Sequence, residues 1–126
     1  MPSIRVVNLA EKFGLINEYY SPRIAGEINN FQVKLAKLKG EFTWHHHETE
    51  DELFLVVAGT LRMKLRENGV EHELAIQPGE FTIIPHGVEH LPMADEEVHL
   101  LLLEPNTTLN TGTEVNERTR AKLQSV

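Results

Sequence analysis

From Phe31 the chain alternates: Phe31, Val33 and Leu35 are separated by Gln32, Lys34 and Ala36. A period of two belongs to a strand and puts the larger apolar set on one face. The alternation changes parity at Lys37-Leu38, which predicts a bulge or an end, and Lys39-Gly40-Glu41 reads as a turn. Leu53 to Ala58 is a continuous apolar run. Leu61, Met63 and Leu65 then alternate with Arg62, Lys64 and Arg66, and Asn68-Gly69 separates that strand from Val70 to Ile76. Both residues of an Asn-Gly pair accept the positive φ of a type I′ turn, so this is a hairpin. Gln77-Pro78-Gly79 is a further turn, followed by strands over Phe81 to Ile84 and Val98 to Leu103. Only Leu9 to Phe13 reads as helix, capped by Asn8 and stopped by Gly14. Short strands with almost no helical period between them predict an all-β barrel or sandwich. Residues 1–30 form an N-terminal arm, 31–105 the barrel core and 106–126 a polar C-terminal tail, within one domain.

Two runs, Leu53 to Val57 and Leu100 to Leu103, are apolar on both faces. An antiparallel strand normally shows one face to water, so these need a second cover. A homodimer partner is the expected one; another sheet or the N-terminal segment of the same chain is the alternative. The tail carries Thr and Asn with no clear period until a turn at Glu117 to Leu123, and wrapping over the barrel mouth, wrapping over a neighbour and fraying all fit it.

The 126 residues carry a formal charge of −7, with 40% hydrophobic and 25% charged residues. This is the composition of a globular domain. Its sign counts against nucleic acid or an anionic membrane as partner, since both require a basic face. Without any cysteine there is neither disulfide nor thiolate, and a metal would have to be held by His and carboxylate. Met1 to Ala10 has one basic residue and no long apolar run, so no signal peptide is expected and a cytoplasmic location is the default.

Histidine is the residue type that changes the picture. Of the seven, His45, His46 and His47 are consecutive, with His72, His86, His90 and His99 further on. On a strand, His45 and His47 share a face while His46 looks away. Glu52 lies five residues past His47, after a charged turn that can bring it beside the pair, and Asp51 is its rival on the opposite parity. Periodicity leaves that choice open. His90 follows Pro85-His86-Gly87-Val88-Glu89, a rigid turn delivering it to the start of another strand.

Gly40, His45, His47, Glu52 and Gly59, followed by Gly79, Pro85, Gly87 and His90, resemble the two characteristic motifs of the cupin superfamily. The resemblance extends from Phe31 to about Pro105. It selects Glu52 over Asp51 and implies a jelly-roll β-barrel, commonly dimeric, with His45, His47, Glu52 and His90 as metal ligands. This chain departs from the pattern twice. Four residues rather than five separate Gly40 from His45, and Ala94 stands where the second motif has Asn.

Three imidazoles and a carboxylate suit one divalent transition ion, Fe, Mn, Ni, Co, Cu or Zn, and not calcium or magnesium, which take mostly oxygen ligands. Phe54 and Val56 would give the site apolar walls suited to a small organic ligand. Tyr19, Tyr20, Arg23, Gln32 and His86 are candidates to orient it, with no particular residue singled out as catalytic. Trp44, on the parity of His46, is expected in an outer layer, and Lys34, Lys37, Arg62 and Arg66 on a solvated face. The expected function is a metal-dependent enzyme on a small molecule, either an oxygenase or an isomerase or lyase using the ion as Lewis acid. A non-catalytic ligand-binding or sensing module is the alternative. A storage protein fits least, because the resemblance retains the full ligand set.

Overall fold

The structure is a computed structural model that describes residues 4–126. After α1 (Leu9–Phe13), the chain runs through β1 (Arg23–Ile28), β2 (Phe31–Glu41), β3 (Glu52–Ala58), β4 (Leu61–Glu67), β5 (Val70–Ile76), β6 (Phe81–Ile84) and β7 (Glu89–Pro105). All the pairings between these strands are antiparallel. One layer has the order β1-β2-β7-β3-β6, and β4 joins β7 to β5 in the other. β7 belongs to both. Its first part, Glu89 to Met93, pairs with β4, and its second part, from Val98 on, lies between β2 and β3. This is an all-β jelly-roll barrel closed by one long shared strand.

The parity change at Lys37-Leu38 has its counterpart in a register shift of β2 against β7 between Leu38 and Gly40. Asn68 and Gly69 have φ of 51° and 77°, the two positive values that a type I′ hairpin turn demands. Two stretches differ from the sequence expectation. Arg23 to Ile28, expected as irregular arm, forms β1 against β2. The strand expected to start at His90 and the one expected over Val98 to Leu103 are one continuous β7 from Glu89 to Pro105, joined through the acidic run Asp95-Glu96-Glu97, which shows no strand period.

The barrel interior is built from Ala36 and Leu38 of β2, Phe54 and Val56 of β3, Leu61, Met63 and Leu65 of β4, and Val98, Leu100 and Leu102 of β7, all buried. Thus the inward face of β2 carries Lys34, not Phe31, Val33 and Leu35. Lys34 is 3% exposed, contrary to its expected place on a solvated face, because its ammonium meets the buried carboxylate of Glu104. Arg62 and Arg66 do face outward. Arg62 bonds Glu73 and Asp95, and Arg66 stacks over Trp44 at 3.8 Å, which puts that ring in the outer layer as its parity requires.

The outer face of the β2-β7-β3 layer is covered in part by this same chain. Phe13 and Ile16 bury Leu35, with Leu9, Ala25, Val57, Leu101 and Val126 around them, and the Phe13 ring stacks on His99 with centroids 4.6 Å apart. The Asn8 side chain accepts from the Glu11 amide and fixes the start of α1. Beyond this cover Ile28, Phe31, Phe81 and Ile83 remain exposed.

The tail wraps over its own barrel. Val126 and Ile24 bond through the backbone, Thr113 N donates to His46 O, and the Arg118 guanidinium reaches Glu41 O. Gly112, at φ 58°, lies so close that a Cβ there would stand 2.0 Å from His46 O and 3.3 Å from His47 Nδ1. Only glycine lets the tail approach the histidine segment in this way. No helix among the described residues is long and apolar enough to cross a membrane.

Candidate metal centre

His45 and His90 come from distant parts of the chain and are joined by their backbones: His45 N donates to His90 O at 3.1 Å, and His90 N to His45 O at 2.9 Å. This bridge lines up the two segments. Gly87 N donates to His47 O at 2.7 Å, so the Pro85-His86-Gly87 turn is tied to the histidine run as well. Glu52 opens β3 with its side chain on the inward parity of Phe54 and Val56. The ligand-type atoms of His45, His47, Glu52 and His90 all lie within 4.8 Å of one another, and all four residues are buried.

Each ring orientation has a visible cause. His45 Nδ1 donates to Thr43 O at 2.9 Å and His90 Nδ1 to Val88 O at 2.9 Å, because a carbonyl can only accept. The proton is thereby fixed on Nδ1, which leaves the His45 Nε2 as a lone pair and turns the His90 Nε2 toward Glu52. Glu52 Oε1 lies 2.8 Å from His47 Nε2 and 3.2 Å from His90 Nε2. The His47 contact is short but lacks hydrogen-bond alignment, which leaves Nε2 buried without a donor or acceptor.

Burial, reinforced by the nearby His90, pushes the His45 imidazole down to about 3, so the ring is neutral at any physiological pH. Burial alone would raise the Glu52 carboxyl, but the close approach and charges of the His47 and His90 rings outweigh it and hold the group well below the usual carboxylate range. The centre therefore offers imidazole lone pairs and an ionised carboxylate, with one ring nitrogen unmatched. Such a donor set fits a borderline divalent cation, and these residues could hold one.

Asp51 points elsewhere. Its Oδ1 accepts from both His86 N and His86 Nδ1 at 2.8 Å, at the surface, where it secures the Pro85-Gly87 turn; His86 is occupied by the same contact. His46 looks out and meets Glu48 at 2.9 Å. Tyr19 bonds Glu97, and Arg23 bonds Glu18 and Ser21, both away from the centre. Among those candidates for orienting a ligand, Tyr20 lines the adjoining cavity: it stacks on Phe42, which meets the His45 ring edge-on.

That cavity adjoins the centre and opens to solvent at its mouth. Ala36, Leu38, Phe54, Leu100 and Leu102 make its wall, and His45 and Glu52 open into it. Glu104 and Asn110 also line it, and sequence reasoning singled out neither. Glu104 follows a run of leucines and reads as the polar end of a strand. Its signal is parity, since it alternates with Leu100 and Leu102 on the inward face and matches Lys34 on β2. Burial, and then the charge of Glu52, push the Glu104 carboxyl up to about 8, against the pull of Lys34.

Comparison with known proteins places this geometry. Residues 32–104 match the cupin domain family. A crystal structure of a cupin-2 domain containing protein from Shewanella frigidimarina superposes with a TM-score of 0.75 at 45% identity, covering 79% of this chain and 94% of that one. The uncharacterised protein YdbB of Bacillus subtilis is 29% identical over 68% of this chain and 74% of its own length. The 3-hydroxyanthranilate 3,4-dioxygenase of Xenopus tropicalis is 29% identical over 68% of this chain but only 32% of its own length. A matched family spanning the barrel, and a relative at 45% identity over nearly its whole length, establish that this chain belongs to the cupin family.

Proposed function

We propose that the chain is a metal-dependent dioxygenase acting on a small organic molecule, with His45, His47, Glu52 and His90 as the ligands of one divalent transition ion. The convergence of these four buried side chains beside an apolar cavity carries the reading. The likeness to a 3-hydroxyanthranilate 3,4-dioxygenase supports oxygen chemistry over other uses of such a centre. When bound, a redox-active ion such as iron would supply dioxygen activation, and four protein ligands leave room for further ligands if it is five- or six-coordinate. The chain's own part is to present neutral Nε2 lone pairs, to hold Glu52 ionised, and to exclude water with the Phe54, Leu100 and Leu102 wall, which strengthens the local electrostatics.

We also propose that a second copy of the chain covers the outer sheet face that α1 leaves open. Phe81 and Ile83 on edge strand β6, 61% and 53% exposed, lie across from Leu55 and Leu53 of β3 and form one patch with them.

His47→Ala and Glu52→Ala are expected to lower bound metal in the purified protein by roughly tenfold or more, with His46→Ala close to wild type, as read by elemental analysis. Metal retained in the Glu52 variant would reject the ligand assignment. The pH dependence has a definite sign. The folded-state value of His45 lies below its unfolded value of about 6.5, so its neutral state costs no stability above that pH, and stability falls as pH drops from there toward 3. Metal ligation demands the same neutral rings, so the metal-induced rise in melting temperature should be large at pH 8 and smaller at pH 5. With iron(II) loaded, oxygen uptake in the presence of small hydroxylated aromatics, 3-hydroxyanthranilate among them, is expected, and it should vanish on exchange to zinc. Equal turnover under argon would instead assign Lewis-acid chemistry. Light scattering is expected to give twice the 14.4 kDa chain mass, and Phe81→Asp combined with Ile83→Asp to give the monomer.

A further inference from the structure

The polar groups that line the cavity differ in what remains free to meet a ligand. The Tyr20 hydroxyl donates to Gly40 O. The Asn110 side chain is spent on the tail, with Nδ2 donating to Arg118 O and Oδ1 accepting from Arg120 N, both at 2.8 Å. His45 and Glu52 belong to the metal centre. Glu104 is different: the residue is 3% exposed, it lines the cavity, and its Oε2 has no hydrogen-bond partner among the described residues.

Lys34 is the nearest cation, with Nζ 3.4 Å from that Oε2. The distance serves charge balance but is too long for a good hydrogen bond, and the ammonium also leans 3.5 Å toward Thr108 O. A buried carboxyl oxygen without a partner is costly, and native structures rarely keep one without a reason. Lys34 and Thr108 are the protein donors beside this carboxyl, and neither satisfies Oε2. A ligand in the cavity can.

We propose that Glu104, held in place by Lys34, is the pocket group that recognises an O–H or N–H substituent on a small, otherwise apolar ligand. Its Oε2 accepts the ligand's proton-bearing group while the apolar wall takes the ring or chain. With the ionised Glu52 and the Glu104 carboxyl on one cavity, the complementary ligand brings a hydroxyl or amino group toward Glu104, not an anionic one. This deepens the enzyme reading above and rests on it for the role of the cavity, though the recognition itself needs no ion.

Phenol and toluene are nearly the same shape and differ in the donor, so their affinities, measured by titration calorimetry or ligand-observed NMR, isolate the contact. Measured at pH 9, above the value to which burial raises the Glu104 carboxyl, wild-type protein is expected to favour phenol by roughly ten- to a hundredfold, the size of a hydrogen bond to a charged group. Lys34→Met combined with Glu104→Leu replaces the pair with apolar groups of similar volume, a change that buried pairs commonly tolerate. That variant should lose the preference and bind toluene at least as well as wild type. Glu104→Gln, which keeps the shape, serves if the double variant does not fold; it should reduce the preference severalfold. An undiminished preference for phenol in either folded variant, or none in wild type, would overturn the proposal. Running the comparison on chelator-treated protein separates the two readings. Selectivity that persists without metal supports the role of Glu104 whatever the metal assignment, whereas absent metal with intact selectivity would remove only the enzyme reading.

Discussion

Polar side chains buried at one point must be satisfied by one another or by something they bind, and much of this structure serves that condition. The reciprocal backbone pair between His45 and His90 places two rings from distant segments with centroids 4.2 Å apart. Carbonyls of Thr43 and Val88, each two residues before the ring it holds, take the Nδ1 protons. Glu52 enters from a third strand between His47 and His90. Weakening any one anchor would leave a buried group unpaired, at a cost of about 1–3 kcal/mol before any metal is considered. The β-barrel supplies the rigidity this needs, because β7 is shared by both layers and carries His90 at one end and Glu104 at the other.

The parts of this arrangement visible in the sequence are those carried by local rules. Asn68-Gly69, the β4 alternation and the capped α1 are short-range features, and each is present where its residues predicted. His45 and His47 are buried while His46 looks out, the alternation expected of a strand, although the segment lies between β2 and β3 and only His45 bridges to His90. Choosing Glu52 over Asp51 required the motif register, since parity alone left both faces plausible. The structure adds the reason Asp51 is otherwise engaged: the Pro85-Gly87 turn needs an acceptor for the His86 amide and ring.

What stayed hidden depends on pairing between distant strands. The inward place of Lys34 follows from β2 meeting β7, where Lys34 lies opposite Leu102 and Gln32 opposite Glu104, and no window along β2 contains that information. The continuity of β7 between His90 and Val98 is masked by Pro92 and an acidic run whose side chains face water. The tail has no period to read. Its path is fixed by separate hydrogen bonds to Ile24, Glu41 and His46 and by the close approach at Gly112.

Lys34 and Glu104 also bear on why the barrel interior is not wholly apolar. A buried ion pair contributes little net stability and is often matched or bettered by apolar residues of equal volume. Stability alone therefore gives no reason to retain one at 3.4 Å with an oxygen left over. Its position supplies a reason. It lines the same cavity as His45 and Glu52, at the opposite end of β7 from His90 and beside the apolar wall. A cupin barrel that only had to fold could fill these positions with leucine. One that has to choose among small molecules needs an unsatisfied group at a fixed place, and rigid strands on either side keep that group from relaxing into a partner of its own.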